Sequence, residues 1–303
     1  MKDQATLQPF SLARMLGARC PQITIIDAGA MAIAGEGVEY NALLRERVGR
    51  VIGFEPVQAE CDKLNAQGAR NRVFLPYCVG DGSKRTFHTC NQPMTSSIYE
   101  PNTPLLSRFQ VLAELTTVVK TEEVQTHRLD DIPEVAGTHL LKMDVQGAEL
   151  DILRGGEKTL ANVVAVHTEV EFLEMYKGQP MFADVDQFLR SRGFCFHTLL
   201  GAAGRSVKPM LKDREGVMPY NQWIWGTVVY IRDFMRFHEL APEQLLRIAV
   251  ILHDMYHSPD MAAHALLHYD AVTGEKLWDA YLTRLTGGMH ALPPKPSLPV
   301  TGK

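Results

Sequence analysis

The most constraining feature of the sequence is a β-branched run at residues 23–29, Ile-Thr-Ile-Ile-Asp-Ala-Gly. An apolar run this short, ended by an acid and a glycine, is typical of a strand buried on both faces of a sheet. A second run of the same kind at 50–56 also stops at an acid, Glu55, and residues 57–67 after it have helical composition. Strand, turn and helix in this order predict a βαβ unit and a parallel sheet.

The remaining predicted elements continue this alternation along the chain. Strands are predicted at 72–79, 138–143, 163–170, 194–199 and 223–231, and helices at 40–48, 57–67, 147–154 and 183–192. Parallel strands of one sheet need crossover connections of about this length, which are usually helices. The sequence therefore predicts an α/β fold with a mainly parallel, Rossmann-like sheet.

The sheet-forming part of the chain is predicted to run from 23 to 235, after a helical lead-in at 1–22. Within it, residues 81–120 carry many turn-forming residues between short polar strands. This segment is too long for a simple connection, which indicates an insertion that could close over an acceptor. A helical annex is expected at 236–290, and the proline-containing tail at 291–303 is expected to be disordered.

Composition argues against several classes of protein. With 303 residues and 46% hydrophobic content, the chain can bury one large core. A net charge of -4, without a long run of Lys or Arg, argues against a nucleic-acid partner. No apolar run is long enough to cross a bilayer and the N-terminus has no secretory pattern, so a cytoplasmic protein is expected. The five cysteines form no C-x-x-C pair, so reduced thiols are expected.

The ends of the first two predicted strands indicate a cofactor site. In an open parallel sheet, ligands bind at the carboxyl ends of the strands, where the strand order reverses. Gly29 would let a ligand approach the backbone, and Glu55 is suited to accept hydrogen bonds from the two ribose hydroxyls of a nucleoside. A purely structural reading also exists, in which Asp27 caps a helix and Gly29 serves a tight turn.

The glycine pattern after the first strand distinguishes two nucleotide cofactors. NAD binding requires G-x-G-x-x-G directly after the strand, but Gly29 is followed by Ala30 and the later glycines do not restore the spacing. Asp27 would repel a pyrophosphate, whereas it could bond the ammonium group of a methionine moiety. The pattern therefore favours S-adenosylmethionine (SAM).

A longer stretch carries a family resemblance. Residues 141–149 read L-K-M-D-V-Q-G-A-E. With D-A-G-A at 27–30, F-E-P at 54–56 and R-L-D-D at 128–131, this stretch resembles the FkbM-type family of SAM-dependent methyltransferases, from about residue 23 to 200. The resemblance implies a class I methyltransferase sheet with one antiparallel strand near its C-terminal edge. It also implies, as is common in that family, O-methylation of sugars, glycoconjugates or natural products.

Carried over by position, the resemblance assigns cofactor contacts at several strand ends. Those contacts are Asp27, Ala28, Gly29, Ala30, Glu55, Pro56, Gly80, Asp81 and Asp144. Gly80 and Asp81 would form the adenine-side loop, and Asp144 would lie at the reaction centre. The turn after 27–30 is longer here than is usual in the family. Gln146 stands where the family often has Glu, so no charge role is assigned to it.

Methyl transfer to an alcohol needs a general base, because the acceptor hydroxyl loses its proton as it attacks. Asp144, at the carboxyl end of a central strand, is the best candidate. Lys142 is expected to pair with Asp144, Glu149 or Glu169. Glu149, in the first turn of the next helix, can be read equally as a charge that complements the helix dipole and as a pocket residue.

The fifth predicted strand supplies further candidates. Side chains alternate along a strand, so His167, Glu169 and Glu171 share one face. Glu169 could face a common acceptor together with Asp144, or the two carboxylates could hold a divalent cation. His167 is read first as a hydrogen-bonded core histidine and second as a base or ligand.

Four residues near the insertion are candidate acceptor contacts. They are Ser96, Ser97, Tyr99 and Tyr176. Hydroxyl groups on loops beside a rigid sheet are suited to bind acceptor hydroxyls, although ordinary polar loop residues would look the same.

Two histidine pairs lie in the predicted annex, His253 with His257 and His264 with His268. Each pair has the one-turn spacing of a zinc-binding helix, but a third ligand is missing. Surface or interface histidines are therefore the favoured reading. The apolar stripes of these helices are expected to pack on the sheet or on a second subunit, which would allow a homo-oligomer.

Three functions are compatible with these residues. A SAM-dependent O-methyltransferase acting on a small or sugar-like acceptor is favoured. The alternatives are a nicotinamide-dependent oxidoreductase and a non-catalytic SAM- or nucleotide-binding scaffold. An acceptor pocket around Asp144 and Glu169 would argue against the scaffold.

Overall fold

The computed structural model describes residues 7–29, 38–66 and 71–288. In these residues the strands are β1 (Ile23–Ala28), β2 (Gly49–Phe54), β3 (Arg72–Leu75), β4 (Cys78–Val79), β5 (Lys84–Cys90), β6 (Val118–His127), β7 (Leu140–Met143), β8 (Ala165–Glu171), β9 (Phe194–Ala203) and β10 (Trp225–Arg232). The predictions for Ala30 and for the tail at 291–303 lie outside the described residues.

The helices of the described residues are mostly short before residue 140 and longer after it. They are α1 (Leu12–Leu16), α2 (Asn41–Arg45), α3 (Gln58–Ala66), α4 (Thr103–Leu106), α5 (Leu112–Leu115), α6 (Glu149–Gly155), α7 (Phe182–Ser191), α8 (Pro242–Asp254), α9 (Pro259–Thr273) and α10 (Leu277–Leu285). Short 3-10 turns lie at Gly17–Arg19, Pro93–Thr95, Leu129–Asp131, Pro133–Val135, Thr159–Ala161 and Phe234–Glu239.

Seven strands form the main sheet, in the order β3-β2-β1-β7-β8-β10-β9. β2 pairs with β3, β1 with β7 and β7 with β8 in parallel, whereas β10 runs antiparallel to both β8 and β9. The predicted α/β class is confirmed, including the one antiparallel strand near the C-terminal edge. A second, three-stranded sheet has the order β4-β6-β5.

The strand order of the main sheet reverses between β1 and β7. The chain proceeds outward from β1 to β2 and β3, and later returns to the other side of β1 with β7 and β8. The carboxyl ends of β1 and β7 are therefore neighbours at the switch point, where open parallel sheets bind ligands. Ala28 and Met143 are register partners there, and the Asp144 N–H donates to the Ala28 carbonyl over 3.0 Å.

The central strands are apolar because both of their faces are covered. In β1 only Thr24 is partly exposed, and most of β7 and β8 is buried as well. Such strands need apolar residues throughout, in place of an alternation of apolar and polar residues. Helices α6 and α7 contribute Leu150, Leu153 and Leu189 to the same core.

Helix α6 is held close to the chain that follows β4. Gly155, its last residue, packs so closely on this chain that a Cβ atom there would overlap the Gly80 carbonyl oxygen. Only glycine permits this approach, because any larger residue would push the helix away. The contact fixes the far end of the helix whose first residue is Glu149.

The segment predicted as an insertion contains β5, α4, α5 and the start of β6. Helices α4 and α5 have an apolar cluster of their own with residues after β8 and before β10. Its members are Leu106, Phe109, Leu112, Met175, Tyr176 and Ile224. Isolated bridges join Pro101 to Tyr176 and Phe109 to Val207. The segment therefore rests on the loop that follows β8.

The described chain divides into two compact units. One contains residues 24–29, 50–66 and 71–232 and carries nearly all of the main sheet. The other contains residues 7–23, 38–49 and 233–288, with α1, α2 and the three C-terminal helices. In the helical unit α8 packs on α9, α1 and α2, and α9 packs on α10. None of the described helices combines the length and the apolar character that crossing a bilayer requires.

The reading of the annex histidines as surface residues is wrong for two of them. His253 is 9% exposed, and its ring nitrogens lie 2.8 Å from the Tyr281 hydroxyl and 3.0 Å from the Phe10 carbonyl oxygen. His268 is 4% exposed, and burial lowers its pKa to about 4. Both nitrogens of His253 are used inside the unit, so this residue is a core histidine.

The apolar stripe of α8 is also inside the helical unit. Its residues Leu245, Leu246, Ile248, Ala249 and Leu252 are buried. Within this unit α8 packs on the helices α9, α1 and α2, so its apolar stripe belongs to a core between helices.

Gly155→Ala is expected to lower the free energy of unfolding by about 2 kcal/mol, because the added methyl group must displace backbone atoms. Urea denaturation followed by circular dichroism measures this loss. Gly201→Ala on β9 is the matched control, since a methyl group there meets nothing within 4 Å. Equal stability of the two variants would contradict the close packing of α6.

Candidate active site

The turn after β1 touches the end of β7. Gly29 has a φ of 87°, in the left-handed region, and a Cβ atom at this position would overlap the Asp144 carbonyl oxygen. Both features require glycine. The cofactor turn predicted from the sequence and the predicted reaction centre are therefore in direct backbone contact.

Asp27 and Lys142 form an ion pair across β1 and β7. The two residues are register partners, the Lys142 ammonium lies 3.1 Å from an Asp27 carboxylate oxygen, and Asp27 is 2% exposed. Asp27 was not among the partners expected for Lys142. The pairing also weakens the argument that Asp27 would repel a pyrophosphate, because a nearby ammonium offsets its charge.

The other predicted cofactor residues lie around the same edge. Glu55 is partly exposed at the end of β2, where one carboxylate oxygen accepts the Val57 N–H over 2.9 Å. Pro56, the next residue, is exposed. Gly80 and Asp81 follow β4, and the Asp81 carboxylate accepts hydrogen bonds from the backbone and hydroxyl of Ser83. The Asp81 carboxylate thus stabilises its own turn.

Asp144 and Glu169 lie together on the open side of this edge. Asp144 is exposed and Glu169 is partly exposed. The side-chain nitrogen of Gln146 lies 2.9 Å from an oxygen of each carboxyl group, so one amide donates to both. This geometry fits the expectation that Asp144 and Glu169 face a common acceptor position, and the Gln146 amide links the two carboxyl groups.

Two further carboxyl groups lie behind this pair. Glu149 and Glu171 are 2% and 3% exposed, and oxygens of Glu149, Glu169 and Glu171 lie within 4.8 Å of one another. Burial raises the pKa of Glu149 to about 7, although its carboxylate accepts the Val145 N–H over 2.8 Å. Burial, and next the charge of Asp144, raise the pKa of Glu169 well above its ordinary range. Burial, and next the charge of Glu149, do the same for Glu171.

These shifts determine where the negative charge resides. A buried carboxylate loses its hydration, and neighbouring carboxylates repel one another, so crowded groups of this kind retain protons near neutral pH. Asp144 is the exposed member, and water can solvate its charge. The arrangement therefore favours a protonated Glu169 and leaves Asp144 as the carboxyl group that is most open to solvent and to an acceptor.

The predicted cation site at Asp144 and Glu169 gains no support. An amide N–H donor of Gln146 lies between the two carboxyl groups, where a shared cation would need only oxygen atoms. Among the described residues, the three carboxyl groups close enough to one another for a metal are those of Glu149, Glu169 and Glu171. Their raised pKa values disfavour the ionised forms that a cation would need.

His167 is buried, at 3% exposure, two residues before Glu169 on β8. Its register partner on β7 is Lys142. Burial in the centre of the sheet fits its reading as a core histidine.

The predicted acceptor hydroxyls are largely used inside the protein. Ser97 donates to the Gln146 main-chain oxygen over 2.7 Å, and the Tyr176 hydroxyl lies 3.0 Å from both the Gln146 side-chain oxygen and the Thr95 carbonyl oxygen. Ser96 accepts the backbone N–H of Cys90 over 3.0 Å. These bonds hold the insertion in place, and acceptor binding by these residues stays a prediction.

Tyr99 is anchored on helix α6. Its hydroxyl donates to the Asp151 carboxylate over 2.6 Å, and the Arg85 guanidinium lies 4.9 Å from the centre of its ring. Arg85 also pairs with Asp151 over 3.4 Å. Burial, and next the hydrogen bond to Asp151, raise the pKa of Tyr99 to about 12. The trio fixes the insertion to α6.

The sequence matches a known protein family and a named relative. The model of the FkbM methyltransferase domain matches residues 27–196, more than half of the chain. The chain is also 45% identical over 181 residues to a protein named 2-O-methyltransferase NoeI, from Sinorhizobium fredii strain NBRC 101917 / NGR234. That match covers 55% of this chain and 71% of the relative.

Solved structures give only distant likenesses. Magnesium protoporphyrin IX methyltransferase (ChlM) from Synechocystis PCC 6803 with bound SAM has a TM-score of 0.33 at 10% identity, over 73% of this chain and 76% of that one. An uncharacterized Listeria monocytogenes protein has a TM-score of 0.31 at 10% identity, over 86% and 100% of the two chains. We draw no conclusion from likenesses of this size.

Gly29→Ala is expected to abolish binding of S-adenosylhomocysteine, because the methyl group would force the turn away from Asp144. Isothermal titration calorimetry measures the loss. Gly137→Ala is the matched control, since Gly137 also has a positive φ, 74°, but nothing lies within 4 Å of a Cβ atom there. If both variants bind like the unaltered protein, the contact does not hold the cofactor turn.

Glu149→Gln is expected to remove part of the pH dependence of stability. Because the folded pKa of about 7 lies above the ordinary 4.5, this group favours the fold at low pH and loses that contribution as pH rises to about 7. The variant should therefore gain stability relative to the unaltered protein through this window. Urea titrations from about pH 4 to pH 8 measure it. A difference that stays constant with pH would contradict the prediction.

Proposed function

Because this chain belongs to the FkbM methyltransferase family, we propose that it is an O-methyltransferase, with SAM as methyl donor and a hydroxyl of a small, sugar-like molecule as acceptor. The observation that carries the proposal is the carboxyl pair of Asp144 and Glu169 beside the Gly29 turn. Methyl transfer to an alcohol needs a base at this place, whereas binding of the cofactor alone does not need one.

The residues at the switch point fit SAM. The Gly29 turn offers backbone without a side chain, and Glu55 at the end of the neighbouring strand presents a partly exposed carboxylate for the ribose hydroxyls. Gly80 and Asp81 would border the adenine. When bound, SAM supplies a methyl group on a positively charged sulfur. The nicotinamide alternative is set aside, because the family and the missing glycine fingerprint both oppose it.

Asp144 is proposed as the general base. It is exposed at the end of β7, in backbone contact with the cofactor turn, so an acceptor hydroxyl can reach it there. The hydroxyl oxygen would form its bond to the methyl carbon as the carbon–sulfur bond breaks and S-adenosylhomocysteine leaves, and the Asp144 carboxylate would accept the hydroxyl proton. A base held beside the acceptor typically contributes about a hundredfold or more to the rate.

Glu169 is proposed to act in its protonated form. Beside an ionised Asp144 and above two buried acids, it holds a proton and donates a hydrogen bond, either to Asp144 or to the acceptor. This assignment gives the two carboxyl groups different tasks, in place of two equivalent bases. It also predicts that a neutral side chain of the same shape can replace Glu169.

The acceptor is proposed to carry no negative charge near the reacting hydroxyl. Asp144 is ionised in this proposal, three more carboxyl groups crowd behind it, and Lys142 is drawn to Asp27. An anionic acceptor would be repelled at this edge. Oxygen as the methylated atom draws support from the 2-O-methyltransferase named above.

Asp144→Asn is expected to lower kcat by about a hundredfold or more, because an amide cannot accept the proton. Its affinity for S-adenosylhomocysteine should change by less than about threefold, since the variant keeps size and backbone. Mass spectrometry of a panel of neutral sugars and polyols, scored for gain of one methyl group, provides the assay.

Glu169→Gln is the matched comparison for this test. Glutamine reproduces the donor and acceptor of a protonated carboxyl, so kcat should stay within about threefold of the unaltered protein. Full activity of Asp144→Asn would eliminate Asp144 as the base. Methylation of a nitrogen or sulfur acceptor in preference to every alcohol tested would overturn the proposal as a whole.

A further inference from the structure

The Gln146 side chain has a hydrogen bond at each of its ends. Its nitrogen donates to Asp144 and Glu169, each over 2.9 Å, and its oxygen lies 3.0 Å from the Tyr176 hydroxyl. An amide whose two donors and one acceptor are all engaged has a defined orientation. Gln146 thus links both carboxyl groups to the loop after β8.

The same contacts continue into the insertion. The Tyr176 hydroxyl also lies 3.0 Å from the Thr95 carbonyl oxygen, and Ser97 donates to the main-chain oxygen of Gln146 over 2.7 Å. Tyr176 is 1% exposed and Ser97 is 1% exposed. The Tyr176 hydroxyl has one hydrogen, which it donates either to the Thr95 carbonyl or to the Gln146 side-chain oxygen. Donation to Gln146 completes a chain of hydrogen bonds from Tyr176 through Gln146 to the exposed Asp144 carboxylate.

The backbone of Gln146 is unusual as well. Its φ is 57°, in the left-handed region that side chains other than glycine and asparagine seldom adopt. A strained backbone at a residue other than glycine points to a role for its side chain. The left-handed turn directs the amide back toward Asp144, two residues earlier in the chain.

Hydrogen bonds to Gln146 and Glu169, rather than packing, orient the Asp144 side chain. Asp144 is exposed, and Glu169 beside it repels it whenever both are ionised. A methyl transfer needs the base within hydrogen-bond reach of one hydroxyl, and small misplacement of such a group lowers the rate steeply. Gln146 supplies the restraint that packing cannot supply at an exposed position.

We propose that Gln146 is a positioning residue that aims Asp144 at the acceptor and couples this aim to the seating of the insertion through Tyr176. This inference rests on the proposed role of Asp144 as the base. Gln146 does not touch the reacting atoms itself. When the insertion is seated, Tyr176 holds the Gln146 oxygen, and the Gln146 nitrogen then holds both carboxyl groups.

The groups that face Gln146 and its carboxyl partners come from several elements. They are Asp144 and Glu149 around the β7–α6 turn, Glu169 and Glu171 on β8, Tyr176 after β8 and Cys90 on β5. The mutant cycle alters only Gln146 and Tyr176 and leaves the other groups in place, so a change in rate reports on the hydrogen-bond chain.

The test is a double-mutant cycle on kcat with Gln146→Met and Tyr176→Phe. Methionine matches the shape of glutamine and keeps the same backbone strain, but it cannot form the hydrogen bonds. Gln146→Met should lower kcat by about ten- to a hundredfold and Tyr176→Phe by about three- to tenfold. Because both residues act through one chain of hydrogen bonds, the kcat of the double variant should lie within about twofold of the kcat of Gln146→Met.

Four further measurements separate positioning from a merely structural role. The KM for the acceptor and the affinity for S-adenosylhomocysteine should stay within about threefold in the single variants, since a loosened insertion would weaken binding. Gln187→Met, at an exposed position of α7, is the matched control and should leave kcat unchanged. Thermal unfolding of each variant confirms that it is folded at the assay temperature.

Two results would overturn the inference. One is a kcat of Gln146→Met within about threefold of the unaltered protein. The other is a double variant whose loss equals the product of the two single losses, which would mean that the residues act independently. If Gln146→Met does not fold, Tyr176→Phe alone decides, and an unchanged kcat overturns the inference. Activity in Asp144→Asn would instead indicate failure of the proposed base.

Discussion

The rest of the site depends on the backbone contact between the turn after β1 and the end of β7. Gly29 approaches the Asp144 carbonyl so closely that no side chain fits, and the Asp144 N–H bonds to the Ala28 carbonyl. The contact exists because the strand order reverses between these two strands. It holds the predicted cofactor turn against the end of β7, so of the proposed base only the Asp144 side chain remains to be oriented.

Electrostatics then distinguish acids that look equivalent in the sequence. Burial raises the pKa values of Glu149, Glu169 and Glu171, while Asp144 remains exposed to water. One amide, that of Gln146, holds the exposed and the partly exposed carboxyl groups together. Burial therefore favours the protonated forms of the inner carboxyl groups and leaves Asp144 as the accessible one, which fits its proposed role as general base.

Much of the fold and part of the site could be predicted from the sequence. The buried strands and the acids at their ends predicted the sheet, the turn at Gly29 and the position of Asp144 at the end of a central strand. Glu171 could have been added, because it shares a face with Glu169 at a spacing of two. The Asp27–Lys142 pair depends on the register of β1 with β7, and the bonds of Gln146 depend on a left-handed turn. Neither the register nor that turn leaves a periodic pattern in a single sequence.

The measurement that tests the central claim most directly is a calorimetric titration of the unaltered protein with S-adenosylhomocysteine and, separately, with NAD. The Gly29 turn, the Glu55 carboxylate and the family all indicate a SAM site. Saturable binding of the thioether at about micromolar concentration, with no heat from NAD, is the predicted result. Binding of NAD without binding of S-adenosylhomocysteine would contradict the account.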